Sequence, residues 1–591
     1  MSRRNKNTDN KRNTVAFTQK DFLPTTREEM DKLGWKQCDV ILVSGDSYID
    51  SPFIGIAVVG RMLERLGYKV GIIAQPDVKS DKDIKRLGEP RLYWGISGGS
   101  VDSMVSNYTA TKKFRNSDDY TPGGKNNKRP DRAVSVYCNL VRRYFKNTAP
   151  LVLGGIEASL RRVTHYDYWQ NKLKKPVLFD SKADILVYGM GEIAIEQLTR
   201  ALDNGDDYKE IRGICYISKD PNYEYIQLPS HQECLDNKEK YIDLFDAFYD
   251  NNDPISANGL CQQVDNRYLI QNPPCDYLTE DEMDANSNLP YTRELHPYYA
   301  KDGKVKCLDT IKFSIMTHHG CWGECNFCAI GVHQGRTIRT RSEDNILNEA
   351  KEFNKYKDYK GIISDVGGPT ANMYGYECNK KLKLGTCDHQ RCVDADHLCK
   401  SMKVDHSRNI DLLKRIRGVE GVRKAFVASG VRYDLINADK KHGYSYLKEM
   451  VKHHISGQMK VAPEHTQQRV LELMGKPGKQ ELVEFKKLYD KLNKEEGKNQ
   501  FLTYYLIAAH PGCKESDMHE LKRFTQNELK MNPEQAQVFT PTPGTYSAVM
   551  YYTEMDHVTR EKIFVEKDTK RKEKQKQIVI KKDTFTSGFS S

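Results

Sequence analysis

The sequence predicts an α/β protein made of two modules, a doubly wound parallel sheet followed by an incomplete barrel of six strand–helix units. Three observations support this prediction. Short apolar runs of strand length alternate with segments of helical spacing. Glycines follow several of these runs, as at Gly154-Gly155 and Gly367-Gly368. The alternation becomes regular after about residue 306, which marks the second module.

The bulk composition describes a polar chain of more than one domain. Its 591 residues exceed an ordinary single domain, and its mean hydropathy is −0.71. Because no run of about 18 apolar residues occurs and no apolar segment follows the basic N-terminus, neither a transmembrane helix nor a secretory signal is predicted. The 15 cysteines therefore indicate a reducing, cytoplasmic setting, where grouped cysteines bind metal more often than they form disulfides.

The first predicted domain spans residues 36–204 and follows a basic, flexible tail at residues 1–35. Its apolar runs alternate with segments such as Gly55–Leu66, which has helical spacing. The glycines that follow these runs have two possible roles: they allow tight turns from strand to helix, or they allow the backbone to approach a ligand closely. The expected strands are Cys38–Ser44, Tyr68–Ala74, Leu92–Ser97, Leu151–Leu153 and Ile185–Val187.

Two further segments show no clear period. Residues 205–300 are rich in Asp, Asn, Tyr and Pro, which predicts an irregular linker that wraps between the domains. Residues 555–591 contain the run Lys570-Arg571-Lys572 and predict a basic, disordered C-terminal tail. With a formal net charge of +11, such a tail could bind RNA phosphates, and a solvated end without a partner is the alternative.

The second predicted domain spans residues 301–554. Barrel enzymes place their functional groups at the carboxyl ends of strands, and each motif discussed below follows a strand. The expected strands are Ile311–Met316, Gly361–Val366, Lys424–Ser429, Gly457–Ala462, Phe501–Ala508 and Ala536–Phe539. The expected helices are Ser342–Tyr356, Ile410–Ile416, Tyr446–His453, Gln467–Asn493 and Lys514–Leu529.

Cys321, Cys325 and Cys328 follow the first strand of this domain at C-x3-C-x2-C spacing. Three closely spaced thiolates can ligate three irons of a [4Fe–4S] cluster and leave the fourth iron open. An open iron can chelate the amino and carboxylate groups of S-adenosylmethionine (SAM). A structural zinc site is the alternative, and because zinc takes four ligands, His318 or His319 would have to complete it.

A second group of cysteines lies in a charged insertion at residues 374–406. The spacing C-x8-C-x4-C-x6-C places four cysteines within 22 residues, which indicates a possible second metal site. An auxiliary iron–sulfur cluster, a zinc ion that staples the insertion and a group of free thiols all remain open. The cysteines are Cys378, Cys387, Cys392 and Cys399, with His389, His397 and His406 nearby.

The first cysteine group, with an aromatic residue before its last cysteine, resembles the signature of the radical SAM superfamily. This resemblance implies a Rossmann-like N-terminal domain followed by a partial (β/α)6 TIM-like radical SAM barrel. It implies that the backbone at Gly367 and Gly368 meets the methionine amino group of SAM, and that Glu464 reaches the SAM ribose or the reacting centre. Arg432 could pair with the SAM carboxylate, or with Asp434. An electron donor such as flavodoxin or ferredoxin is also implied.

More narrowly, the chain resembles the bacterial YgiQ family of radical SAM proteins from about residue 20 to residue 555. The segments VLGGIEASLRRVTHYDYW and QVFTPTPGTYSAVMYYT and the second cysteine group carry this match. VLGGIEAS and ADILVYGMGE occupy the turn positions of cobalamin-type Rossmann-like domains. The D-x-H-x-x-G element, whose histidine ligates cobalt, is absent from the sequence, so cobalamin is not expected.

Three functions follow from these patterns as hypotheses. The first is a radical SAM enzyme, in which a [4Fe–4S] cluster reductively cleaves SAM to a 5′-deoxyadenosyl radical that acts on a substrate the motifs do not name. The second is a methylthiotransferase of tRNA or protein, which requires a three-cysteine auxiliary cluster before residue 300. The third is a non-catalytic zinc- and RNA-binding protein.

Overall fold

A nine-stranded mixed sheet forms the N-terminal half of the protein in the computed structural model, which describes residues 21–388, 391–394 and 398–580. Its first five strands are parallel and lie in the order 2-1-3-4-5, which is the flavodoxin-like doubly wound arrangement. In this register Val40 lies opposite both Val70 and Tyr93. All five strands expected from the sequence are present, at Val40–Ser44, Val70–Ala74, Tyr93–Ser97, Leu151–Gly154 and Ile185–Val187.

The sheet separates two apolar cores, which explains why its strands read as unbroken apolar runs. In the first strand, Ile41 and Val43 belong to one core, whereas Val40 and Leu42 belong to the other. A parallel sheet covered on both faces buries every residue of its central strands. The covering helices include Gly55–Arg65, Ala133–Tyr144 and Glu192–Asn204.

The region predicted as an irregular linker, residues 205–300, instead extends this sheet, so that prediction was wrong. Ile214–Ser218 pairs antiparallel with Ile185–Val187, and three more strands follow at Ile226–Leu228, Leu260–Val264 and Arg267–Gln271. The strand signal was hidden by buried polar residues. Gln262 accepts a hydrogen bond from the Thr164 amide at 3.0 Å, and Gln271 accepts one from Arg162 at 3.0 Å. Helices His231–Asp236, Lys238–Asp250 and Glu280–Ser287 complete the region.

Six parallel strands in chain order form the incomplete barrel that the sequence predicted. Ladder pairs or backbone bonds connect each strand to the next, including the bond from the Val427 amide to the His454 carbonyl oxygen and the bridge between Val431 and Val461. The strands therefore align their carboxyl ends at one edge. In order they are Ser314–Met316, Ile362–Ile363 with Asp365–Gly367, Lys424–Ala425, Gln458–Glu464, Phe501–Ala508 and Gln537–Val538.

The barrel helices follow the expected pattern with one break. The expected helix Gln467–Asn493 is two helices, Gln468–Met474 and Lys479–Glu495, because Gly475 adopts φ +64° and Pro477 cannot donate a backbone hydrogen bond. Ser342 caps its helix as predicted, and its hydroxyl accepts a hydrogen bond from the Asn345 amide at 3.1 Å. The other main helices are Glu343–Glu352, Ser407–Arg417, Gly443–Glu449, Glu515–Asn527 and Tyr546–Thr553.

Residues 21–35 belong to the folded N-terminal domain, although the sequence placed them in a flexible tail. Thr26 and Glu29 form a capping box that starts the helix Arg27–Lys32, and Met30 of this helix is fully buried. The Leu23 amide donates a hydrogen bond to the Tyr48 hydroxyl at 3.2 Å. Residues 1–20 of the expected tail lie outside the described residues.

The basic C-terminal segment also folds as far as residue 580, contrary to the prediction of disorder. In the helix Thr569–Ile580, Lys572, Gln575 and Val579 are buried, and this i, i+3, i+7 spacing gives the helix one inner face. The Lys572 ammonium donates to the Tyr551 hydroxyl at 2.7 Å and to the Tyr168 hydroxyl at 3.2 Å. Residues 581–591 lie outside the described residues. Among the helices that the structure describes, none is both long and apolar enough to cross a membrane.

Candidate functional site

The three cysteines of the first group lie on one closed loop after the first barrel strand. His318–His319 pairs antiparallel with Arg339–Thr340, which closes the loop at its base. Gly320 starts the loop at φ +82°, where a Cβ atom would lie 2.2 Å from the Thr337 carbonyl oxygen. Because both the backbone angle and the space exclude a side chain, the start of this loop requires glycine.

The three thiols of this loop are half-buried and lie beside a cation. Cys321 Sγ lies 3.4 Å from Thr370 Oγ1, and Cys325 Sγ lies 4.0 Å from an Arg432 Nη atom. Gly323 leaves room for that guanidinium, since a Cβ atom there would lie 2.6 Å from it. Burial raises the pKa of the Cys328 thiol to about 12. A metal that binds Cys328 must therefore displace a proton.

Asn326, between the second and third cysteines, fixes the loop to other parts of the barrel. Its backbone amide donates to the Met474 carbonyl oxygen at 2.9 Å, and its side-chain amide donates to the Leu473 carbonyl oxygen at 2.9 Å. Its own carbonyl oxygen accepts a hydrogen bond from the Ser547 amide at 2.9 Å. The cysteine loop is thus tied to segments that follow the fourth and the sixth strands. No local sequence pattern marks Asn326, because its partners are distant in the chain.

His318 does not offer a free fourth ligand for zinc. It is fully buried, its Nδ1 lies 2.8 Å from Thr317 Oγ1, and its Nε2 lies 3.1 Å from the Thr370 carbonyl oxygen. Within residues 21–388, 391–394 and 398–580, no three Cys, His, Asp or Glu side chains are placed to hold a single metal ion. The arrangement of the loop is therefore unlike a preformed mononuclear zinc site.

The Gly367-Gly368 turn ends the second strand beside the cysteine loop. The Gly367 carbonyl oxygen accepts a hydrogen bond from the Thr317 amide at 2.8 Å. Gly368 lies against the buried His318 ring, and a Cβ atom on Gly368 would lie 2.6 Å from that ring. A Cβ atom on Gly367 would lie 3.4 Å from its nearest neighbours, which is an ordinary contact. Glycine is therefore required sterically at Gly368 and not at Gly367.

Arg432 pairs with Asp434, and both side chains are buried. One Nη atom of Arg432 lies 2.7 Å from Asp434 Oδ2, and its Nε lies 3.1 Å from Oδ1. Because the second Nη faces Cys325, the guanidinium bridges the carboxylate and the thiol group. The pair with Asp434, one of the two partners expected from the sequence, is therefore present, and it is buried rather than at the surface.

Glu464 lies at the end of the fourth strand, where the ladder to the fifth strand is irregular. It adopts φ +64°, a left-handed conformation that is uncommon for residues other than glycine. Burial raises the pKa of its carboxyl group to about 7, and Lys476 opposes this shift. His465 and Thr466 are buried beside it, and His465 Nε2 lies 3.6 Å from Cys513 Sγ. Lys476, which the sequence analysis missed, also lowers the pKa of Cys328, a smaller effect than burial.

The structure brings the four cysteines of the second group to one cavity of about 250 Å³. Cys378 is buried, and the other three are half-buried. His406 is not part of this group, because its Nδ1 pairs with Asp439 at 2.9 Å and its Nε2 lies 3.1 Å from the Asn372 side chain. His389 and His397 lie outside the described residues.

The cysteines before residue 300 are spread over separate helices and strands, for example Cys138 in Ala133–Tyr144, Cys215 in Ile214–Ser218 and Cys261 in Leu260–Val264. Five of them are buried, and Cys275 is half-buried. Cys38, for example, contacts Met30. This distribution gives no support to the methylthiotransferase hypothesis. The six cysteines are Cys38, Cys138, Cys215, Cys234, Cys261 and Cys275.

A cavity of about 410 Å³ lies between the carboxyl edge of the N-terminal sheet and the barrel. Ligands bind at this edge in doubly wound sheets, and the volume is in the range of small-molecule sites. Glu192 from the sheet side lines the cavity, with His319, His333 and Gln334 from the ends of the cysteine loop. Glu192 Oε2 and His333 Nδ1 are buried without a hydrogen-bond partner.

Comparison with known proteins identifies the class. Residues 22–314 match the family model described as Radical SAM N-terminal, and residues 315–525 match the model described as Radical SAM superfamily. The matched regions contain the sheet, the cysteine loop and five of the six barrel strands. The fold and the site therefore define a radical SAM enzyme, as the sequence predicted.

Comparison with curated relatives identifies the family within this superfamily. The chain is 58% identical over 562 residues to UPF0313 protein FN0734 of Fusobacterium nucleatum subsp. nucleatum, covering 95% of this chain and 99% of the relative. It is also 48% identical over 562 residues to a UPF0313 protein of Thermotoga maritima, and this match covers 95% of this chain and 98% of that relative. This chain belongs to the UPF0313 family within the radical SAM superfamily. The match is consistent with the resemblance to the YgiQ family.

A solved structure of TsrM from Kitasatospora setae, a radical SAM methyltransferase, is a more distant match. The aligned region covers 86% of this chain and 74% of the TsrM chain, with 13% sequence identity and a TM-score of 0.47.

The radical SAM family implies a [4Fe–4S] cluster, SAM and a reductant. The residues of this chain fit the cluster, since one loop presents three thiols beside a buried guanidinium.

Proposed function

We propose that the chain binds a [4Fe–4S] cluster through Cys321, Cys325 and Cys328 and uses it to cleave SAM reductively. The observation that carries this proposal is the gathering of three thiols on one loop at the carboxyl edge of six parallel strands. A bound cluster of this kind supplies the electron that cleaves the sulfonium bond of SAM and releases a 5′-deoxyadenosyl radical, which abstracts hydrogen from a substrate.

The protein side chains would position these groups and offset their charge. Arg432 places a cation beside Cys325, and since burial weakens solvation, this cation would stabilise thiolate charge more than an exposed one would. Asp434 holds the guanidinium in place through two oxygen atoms. The absence of a side chain at Gly368 lets this turn pack directly against the His318 ring, which would hold the turn in place beside the methionine part of SAM.

Substrate would enter through the cavity between the sheet and the barrel. Gln334 supports this route, because it lines the cavity and its Oε1 accepts a hydrogen bond from the Gly320 amide at 3.3 Å, next to Cys321. The unpartnered Glu192 and His333 atoms offer polar contacts to a small molecule. Because the sequence lacks D-x-H-x-x-G, we propose that cobalamin does not occupy this cavity.

The experiment that tests the proposal is anaerobic purification and cluster reconstitution in the presence of hydroxocobalamin. Expected results are at least about four irons per chain, a reduced electron paramagnetic resonance (EPR) signal that changes when SAM is added, release of 5′-deoxyadenosine, and no bound cobalt. Zinc without iron would overturn the proposal. Stoichiometric cobalt would overturn only the statement about cobalamin.

Glu464 is expected to make SAM binding pH-dependent. Burial raises the pKa of its carboxyl group to about 7, so the group is mostly protonated below this pH and is a carboxylate above it. If the carboxylate accepts a hydrogen bond from the SAM ribose, affinity should rise with pH through about 7. A hydrogen bond to a charged group contributes about 1.5–3 kcal/mol, so the rise should be about tenfold or more.

Equilibrium dialysis of SAM between pH 6 and 8 would check this expectation on cluster-loaded protein. Glu464→Gln should flatten the profile, while the matched variant Glu484→Gln, on an exposed helix position, should keep it. An unchanged profile in Glu464→Gln would show that another group titrates.

A further inference from the structure

We propose that Cys378, Cys387, Cys392 and Cys399 hold a second [4Fe–4S] cluster that relays electrons to the first cysteine site. The existence of this cluster stands on its own evidence, whereas the relay role rests on the proposed function. A zinc ion and a set of free thiols are the competing interpretations, and the structure gives reasons against both.

Convergence of the four thiols argues against unrelated free cysteines. All four line the same cavity of about 250 Å³, although 21 positions separate the first from the last. The Cys399 amide donates to the Cys392 carbonyl oxygen at 2.9 Å, and Val393 bridges Leu398, so these contacts bring two of the four cysteines close together. Cys378 approaches from the start of the helix Asn379–Leu384.

The space between the thiols argues against a single zinc ion. Tetrahedral zinc requires four sulfur atoms at about 2.3 Å from one point. The four thiols line a cavity of about 250 Å³, which is far more space than one zinc ion would occupy. A cluster fits because each iron takes its own thiolate and the cluster itself fills the centre.

The charges around the cavity favour an anionic cofactor. Lys380, Arg391 and Lys400 line it together with Lys381, which pairs with Glu377 at 3.0 Å, and Glu324 is the acid among its described lining residues. A [4Fe–4S] core with four thiolates carries a net negative charge, so nearby cations stabilise it. Lys380 and Lys400 are exposed at the cavity and could also attract an acidic carrier protein.

The second cavity shares a wall with the first cysteine loop. Glu324 lies between Cys321 and Cys325 in sequence and lines the second cavity. Arg391, from the insertion, donates to the Glu324 carbonyl oxygen at 2.8 Å and also to the Asn326 side chain. Trp322 is fully buried in one small apolar core with Cys378, and Cys392 and Cys399 pack against that core. The two cysteine groups are therefore neighbours in one packed unit.

Full ligation by protein thiolates determines the role of the second cluster. With a cysteine on each iron, no iron is open to SAM or substrate, and because the cluster would share a wall with the first cysteine loop, its position suits electron transfer to that site. An external one-electron carrier protein, such as reduced flavodoxin or ferredoxin, would reduce this cluster by one electron. The cluster would return to its oxidised state when it passes that electron to the first site, and no proton or group is transferred.

The experiment compares iron, sulfide and zinc in the full-length protein and two variants after anaerobic reconstitution. The unmodified protein should contain about eight irons and no zinc. A triple variant with Cys321→Ala, Cys325→Ala and Cys328→Ala should keep about four irons, with an EPR signal that SAM does not change. Reductive titration should consume two electrons per unmodified chain and one per triple variant.

The reciprocal variant replaces Cys378, Cys387, Cys392 and Cys399 with alanine. It should keep about four irons, with a SAM-sensitive signal. An iron-free triple variant, or one zinc per chain that is lost with these four cysteines, would overturn the inference. If the triple variant contains iron and the reciprocal variant contains none, the proposed function is overturned, whereas the inference of the second cluster is supported. If the reciprocal variant does not fold, the triple variant alone decides the question.

Discussion

Cys321→Ala should lose about half of its iron and reduce SAM cleavage to the level of a protein-free control. The reason is that the cofactor carries the difficult chemistry, while the protein supplies binding and orientation. Cys321 lies beside the turn that follows the second strand, since its Sγ is 3.4 Å from Thr370 Oγ1. Two remaining thiols would leave two irons without protein ligands.

Iron content and 5′-deoxyadenosine release would be measured on the same preparation. Cys307→Ala is the matched control, because Cys307 is also half-buried but belongs to neither cysteine group. The control should retain iron, the EPR signal and SAM cleavage. SAM cleavage retained by Cys321→Ala would refute the assignment of the catalytic cluster to this loop.

Gly368→Ala should weaken SAM binding by about 10- to 100-fold without loss of iron. The new Cβ atom would lie 2.6 Å from the His318 ring. That ring has no room to retreat, because it is fully buried and hydrogen bonded at both nitrogens. Overpacking of this kind costs about 1–3 kcal/mol, and each 1.4 kcal/mol corresponds to about a tenfold change in affinity. The backbone would shift where we place the methionine part of SAM.

Two further variants separate this steric effect from general damage. Gly367→Ala should be milder, because its Cβ atom would make only ordinary contacts at 3.4 Å. Combining Gly368→Ala with His318→Ala removes the obstructing ring and should recover part of the affinity. Equilibrium dialysis with radiolabelled SAM, after iron has been quantified, would check all three. Wild-type affinity in Gly368→Ala would show that this turn does not contact SAM.

The parts of the site that lie close together in sequence could be predicted from it. The three cysteines of the first loop and the Gly-Gly turn are local patterns, and the apolar runs of the first five strands reflect burial on both faces of a parallel sheet. The YgiQ-like segments likewise indicated the superfamily that the family models confirm.

Long-range contacts could not be read in the same way. Nothing in the local sequence shows that Asn326 bonds to Leu473, or that Lys476 lies near Glu464. Buried Gln262 and Gln271 accept hydrogen bonds from residues about 100 positions away, Thr164 and Arg162, and these polar residues interrupt the apolar pattern by which strands are recognised. The C-terminal helix was missed because its inner face contains Lys572 and Gln575 rather than apolar residues.

The bond between Lys572 and Tyr168 has a consequence for synthesis of the chain. The two residues are 404 positions apart, and Tyr168 belongs to the N-terminal domain, which leaves the ribosome first. At about 5–20 residues per second, roughly 20 to 80 s pass before Lys572 is made. Throughout that interval the N-terminal domain lacks its C-terminal partner. A nascent chain that stops before residue 572 therefore never forms the Lys572 contact with Tyr168, so the two ends of the chain are joined only when synthesis is nearly complete.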